Sequence, residues 1–146
     1  MYSVIESVKK KKLEIDYSYD FELLGLASVA KGFKLAWQIN SLLHVQLKKI
    51  DDLMIDQGNE VACSYSCYQQ ETSYNVLRLF RNKPNESDQT RHFLVPEHPH
   101  FDFIVMIQGD ELDSKRLQKE LKAIPSIELV AFIPLGALKS KDYFIF

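Results

Sequence analysis

Glu97, His98, His100 and Asp102 crowd one short stretch of the chain, with His92 a little upstream. Two imidazoles and a carboxylate form a ligand set for a divalent transition metal. Imidazole also titrates near neutrality, which suits general acid–base work. If the stretch is extended, His98, His100 and Asp102 point to one side, because side chains alternate along a strand. The spacing matches no established metal motif, however. The reading therefore assigns no catalytic residue, no metal and no cofactor, keeps His98, His100 and Asp102 as the only metal candidates, and treats the stretch first as a solvated, turn-rich loop.

Glu97 and Asp102 have a second account. Pro96 and Pro99 interrupt any regular ladder. A carboxylate beside such backbone accepts the N–H groups that the loop leaves unpaired. On this reading Pro96, Glu97 and Asp102 form a structural motif. They set the angle at which the chain runs into the apolar segment 103–107.

No other motif for chemistry is found. The chain has no Gly-rich phosphate loop, CxxC, HExxH or GxSxG. Cys63 and Cys67 are the two cysteines. On one strand they lie about 13 Å apart, too far to bridge, which fits a reducing cytoplasm. The net charge of −2 gives no basic field for nucleic acid or an anionic membrane. The lysine run 9–12 reads as a solvated lead-in. No window approaches a membrane span, and the first residues lack the pattern of a signal peptide. A length of 146 residues, 46% hydrophobic and 26% charged, fits a single domain, 1–146, with a core of its own.

The positioning elements follow from periodicity. Alternation from Leu13 to Leu23 predicts strands near 12–17 and 20–27. A helix is predicted over about 30–43, with Leu35, Ala36, Ile39, Leu42 and Leu43 on one arc. Phe33 and Trp37 lie off that arc, with Asn40 beside them, and mark an interface. Its cover is either the apolar N-terminal residues Tyr2, Val4, Ile5 and Val8 or a second subunit. Residues 45–81 read as an antiparallel meander, with a slip at Asp51-Asp52. Residues 82–90 read as a mobile loop and 92–95 as a short strand. Residues 103–107 form a strand covered on both faces. Asp113 or Ser114 caps a helix to about 123, Pro125 stops it, and 127–133 is the last strand. Tyr143, Phe144, Ile145 and Phe146 are predicted to pack.

Laid over itself so that Asp20-Phe21 falls on Asp102-Phe103, the chain also aligns Leu35 with Leu117, Ile39 with Leu121 and Val45 with Ile127. Two βαβ-like units joined by the meander are therefore expected. The fold class is α+β: a mixed, mainly antiparallel sheet with both helices on one face, an elaborated ferredoxin-like arrangement.

The segment Val95-Pro-Glu-His-Pro-His-Phe-Asp-Phe103 resembles the motif of the IPExxxVDY family of small bacterial proteins. Pro96, Glu97 and Asp102 match outright; Val95, Phe101 and Phe103 replace Ile, Val and Tyr. Residues 20–25 and 34–40 also resemble the N-terminal half of that family. The resemblance brings no activity, ligand or catalytic residue with it. The expected function is that of a non-enzymatic cytoplasmic interaction module. It would form a homodimer or bind another protein, and would contact neither nucleic acid nor membrane. The alternatives are a small-molecule-binding regulatory module and a metal-dependent hydrolase using residues 97–102.

Overall fold

The computed structural model describes residues 20–56, 62–85, 92–109 and 112–145. The first predicted strand, the residues proposed to cover Trp37, the lysine run, residues 86–90 of the predicted loop and Phe146 lie outside them.

The elements are β1 (Phe21–Ser28), α1 (Gly32–Leu43), β2 (Lys48–Ile55), β3 (Cys63–Glu71), β4 (Asn75–Arg81), β5 (Phe103–Gly109), α2 (Ser114–Lys122) and β6 (Ile127–Ile133). A 3₁₀ turn, Lys139–Phe144, follows. The six strands form one sheet in the order β2-β3-β4-β5-β1-β6. Every neighbouring pair is antiparallel. A mixed sheet was expected, and this is corrected. β1 and β2 run the same way, as do β5 and β6, but other strands lie between the members of each pair. No parallel ladder forms among the described strands.

The central strands feed two cores, because their side chains alternate. On one face Leu24, Leu26, Leu77, Leu79, Phe103, Val105 and Ile107 pack with Leu35, Ala36 and Ile39 of α1 and with Leu117 and Leu121 of α2. On the other face Leu23, Tyr65, Phe80, Ile104 and Met106 pack under Leu94, Val95 and Phe101 and under Leu138 and Phe144. Phe144 stands edge-on to Phe80, with ring centroids 5.3 Å apart. Among the described residues no α-helix lies on the second face. The loop from His92 to Phe101 and the C-terminal segment cover it instead. Burying such aromatic and aliphatic side chains stabilises by about 1.5–3 kcal/mol each, so that loop is part of the core.

Local rules explain most boundaries. Asp113 Oδ1 accepts the Lys115 N–H at 3.0 Å and starts α2. The Asp51-Asp52 slip is a register shift between Ile50 and Leu53. α1 ends at His44, whose φ of 58° stops the helix in the left-handed region. Leu42, expected in the core stripe, is exposed; it lies at the rim of the apolar arc in the last turn. Ile145, expected to pack, is also exposed. Residues 92–95 are not a strand, because they pair with no ladder. Residues 82–85, expected in a mobile loop, are held in place: Asn85 N–H donates to the Ser64 carbonyl at 2.9 Å, and Asn82 is fully buried. Among the described residues, no helix is long and apolar enough to cross a membrane.

Candidate functional site

The 95–102 loop is built around three side chains. Glu97 reaches the C-terminal segment. Its carboxylate accepts from the Lys139 N–H (2.6 Å), the Ser140 N–H (3.2 Å) and the Ser140 hydroxyl (3.0 Å). Asp102 Oδ2 accepts the Ser28 N–H at 2.8 Å, while Asp102 N–H donates to the Leu26 carbonyl at 2.8 Å. The third member is Asn82. Its amide donates to the carbonyls of His98 (3.1 Å) and Phe101 (2.8 Å), and its Oδ1 accepts the Val95 N–H at 2.8 Å. Glu97 and Asp102 thus satisfy backbone N–H groups. Asn82 escaped the sequence reading because an Asn after a strand reads as a loop former.

The metal candidates are not brought together. His98 N–H bonds the Val95 carbonyl in a turn, which breaks the alternation that an extended segment would give. The His98 and His100 rings lie 5.7 Å apart between centroids, and His100 packs on Phe101 at 4.2 Å. One oxygen of Asp102 is held by Ser28. Among the described residues no three His, Cys, Asp or Glu side chains form a metal-sized cluster.

Burial pushes the Glu97 carboxyl upward, but the bonds it accepts from its own N–H, from Ser140 and from Lys139 outweigh this and hold it below its ordinary value of 4.5. A depressed folded pKa contributes stability that is present above the ordinary value and lost as pH falls through the folded one. Glu97→Gln is therefore expected to flatten the acid limb of a thermal-stability profile as the pH falls below the ordinary value of 4.5. A variant whose profile parallels the parent there contradicts the role given to Glu97.

Burial pushes the Cys67 thiol up to about 12, against the opposing charges of Arg78 and Lys49. Cys67 is thus a packed thiol and no nucleophile.

A concavity lies elsewhere among the described residues. A cleft of about 610 Å³ opens between the β1–α1 turn, the start of α1, β3 and the ends of β4 and β5. Lys31, Arg81 and Lys83 line it, together with Tyr68, Phe33 and Asp102. Arg81 continues the alternation of Leu77 and Leu79 onto the helix-covered face, so a cation stands where the pattern asks for an apolar side chain. The side chain at the cap position of α1 makes no capping hydrogen bond, and the first turn holds no acid. The residue at the cap is Lys31, whose charge has the wrong sign for the positive end of a helix dipole. Gly32 lets the Tyr68 ring lie close: an added Cβ would stand 3.3 Å from its Oη. Burial raises the Tyr68 pKa, with Lys49 opposing and Asp52 assisting, so the phenol stays a donor. These residues come from four separate segments, and the sequence reading picked out only Phe33 and Asp102.

Of the predicted interface residues, Phe33 is 59% and Trp37 66% exposed. Asn40 does not belong with them. Its amide donates to the Leu47 carbonyl (3.1 Å) and accepts the Leu47 N–H (2.8 Å), tying the end of α1 to the start of β2. Comparison with protein-family models and with curated proteins finds no match to the chain.

Proposed function

We propose that the protein is a small-molecule-binding module that takes an anionic ligand in the cleft at the start of α1. The observation that carries this is the convergence of Lys31, Arg81 and Lys83 on one concavity. Like charges gathered there repel one another and the helix dipole, and a bound anion relieves both. Asp102 adds a requirement. With Oδ2 on Ser28, its other carboxylate oxygen suits a ligand hydroxyl or amine. The ligand class is thus a small phosphate or carboxylate that also carries a hydrogen-bond donor. Phe33 at the cleft wall offers an apolar face to its body.

The architecture supports the same reading by analogy alone. We read the order β4-β5-β1-β6, with α2 linking β5 to β6, as a ferredoxin-like unit enlarged by β2 and β3. Pyrophosphate, added at millimolar concentration, is expected to raise the melting temperature and to move the amide resonances of Gly32 and Phe33. Both effects should vanish in Arg81→Gln/Lys83→Gln and weaken with salt. Unmoved resonances across the α1 N-terminus sink the proposal.

A second reading keeps the protein-interaction module. The exposed Phe33 and Trp37 support it, as does Val29, which is also exposed and lines the cleft with Phe33.

A further inference from the structure

The two edges of the sheet are built differently. β2 carries Lys48, Lys49, Asp51 and Asp52 among its residues and breaks register at the two aspartates. Charges and a bulge are the usual protection of an edge against another strand. β6 lacks both on its open stretch. From Leu129 to Ile133 it pairs residue by residue with β1, and its one charge, Glu128, lies at the irregular end. Among the described strands none pairs with its outer side. A row of backbone N–H and C=O groups is left there. Leu129 and Phe132 alternate onto opposite faces and are 46% and 43% exposed.

We propose that β6 pairs with the β6 of a second copy of this chain, antiparallel and about a two-fold axis at Val130, so that one sheet runs through both subunits. The strand's own sequence selects this occupant. Centred on Val130, the pairing sets Leu129 against Ala131 of the other copy, within the stretch that keeps a regular register. The exposed Leu129 thereby gains an apolar neighbour. Glu128 falls opposite Phe132, so the two carboxylates stay apart. A pairing centred on Glu128 would set them face to face, which is unfavourable. The symmetric arrangement closes on itself and, among the described strands, leaves the two charged β2 edges outside.

Charge placed at Phe132 separates the outcomes, and because that position is partly exposed the variants are expected to fold. Sedimentation equilibrium of the full chain should show a dimer. Phe132→Glu faces Glu128 of the other copy at both ends of the pairing and should raise the dimer dissociation constant about tenfold or more. Phe132→Lys faces the same carboxylate with opposite charge and should retain the dimer. A parent chain that is monomeric at every concentration overturns the proposal, whether solvent or another stretch of the same chain occupies the edge. Equal loss in both variants overturns the Val130 register and the proposal with it. A dimer that ignores Phe132 and dissolves in Trp37→Ala moves the interface to α1 and also overturns it.

Discussion

Replacing Asn82 by leucine is expected to lower the unfolding free energy by about 3–5 kcal/mol, a large fraction of what a domain of this size has. The two side chains are close in size, so little cavity is created. What is lost is the amide. Asn82 is 0% exposed, and its side chain serves three main-chain groups: the Val95 N–H and the carbonyls of His98 and Phe101. Each buried group left without a partner costs about 1–3 kcal/mol. The backbone of Asn82 also bonds Asp102 and Leu94, so the loop cannot simply swing away from the altered residue. Asn82→Asp should be at least as damaging, because it turns a carboxylate oxygen toward two carbonyls. Urea unfolding followed by circular dichroism measures the change. A loss below about 1 kcal/mol would mean that the loop finds other partners and that Asn82 does not hold it.

The contrast between Asn82 and the strands around it explains what could be read in advance. Residues 103–107 are apolar throughout, and β5 is indeed covered on both faces. Asp113 caps α2 as its place before an amphipathic run implies, and the slip at Asp51-Asp52 follows from a broken alternation. These signals are local. The partners of Asn82 lie well downstream of it, and nothing in Arg81-Asn82-Lys83 separates an amide facing solvent from one bridging three peptide groups. The loop over the second core was misjudged for the same reason. Prolines, histidines and acids mark it as polar, yet Leu94, Val95 and Phe101 are all buried. Glu97 and Asp102 were legible as acceptors of backbone N–H groups, but their donors, at Ser140 and Ser28, were not. The cleft was the least legible feature, because its cations meet only after the sheet has brought β1, β3, β4 and β5 together.

Gly25→Ala should destabilise the protein by about 1–3 kcal/mol, far more than one methyl group usually does on a strand. Gly25 pairs in β1 with both neighbours, β5 and β6, so it cannot shift without disturbing two ladders. A Cβ built on it would lie 2.3 Å from Cδ2 of Phe101, inside the ring's contact surface. The Phe101 ring therefore rests directly on the β1 backbone, and the absence of a side chain at Gly25 is what lets the loop close over the sheet. Phe101 has no free direction of retreat, since it is buried in the second core and the His100 ring packs against it. If this contact is the cause, the damage depends on the ring. Phe101→Val alone leaves a void and should cost about 2–4 kcal/mol. In Gly25→Ala/Phe101→Val the added methyl meets empty space, so the double variant should be more stable than the two single losses predict by at least about 1 kcal/mol. The ring and the glycine are then one paired solution for closing the loop onto β1. Strict additivity in the double-mutant cycle would assign the effect of Gly25→Ala to the strand itself and separate Gly25 from Phe101.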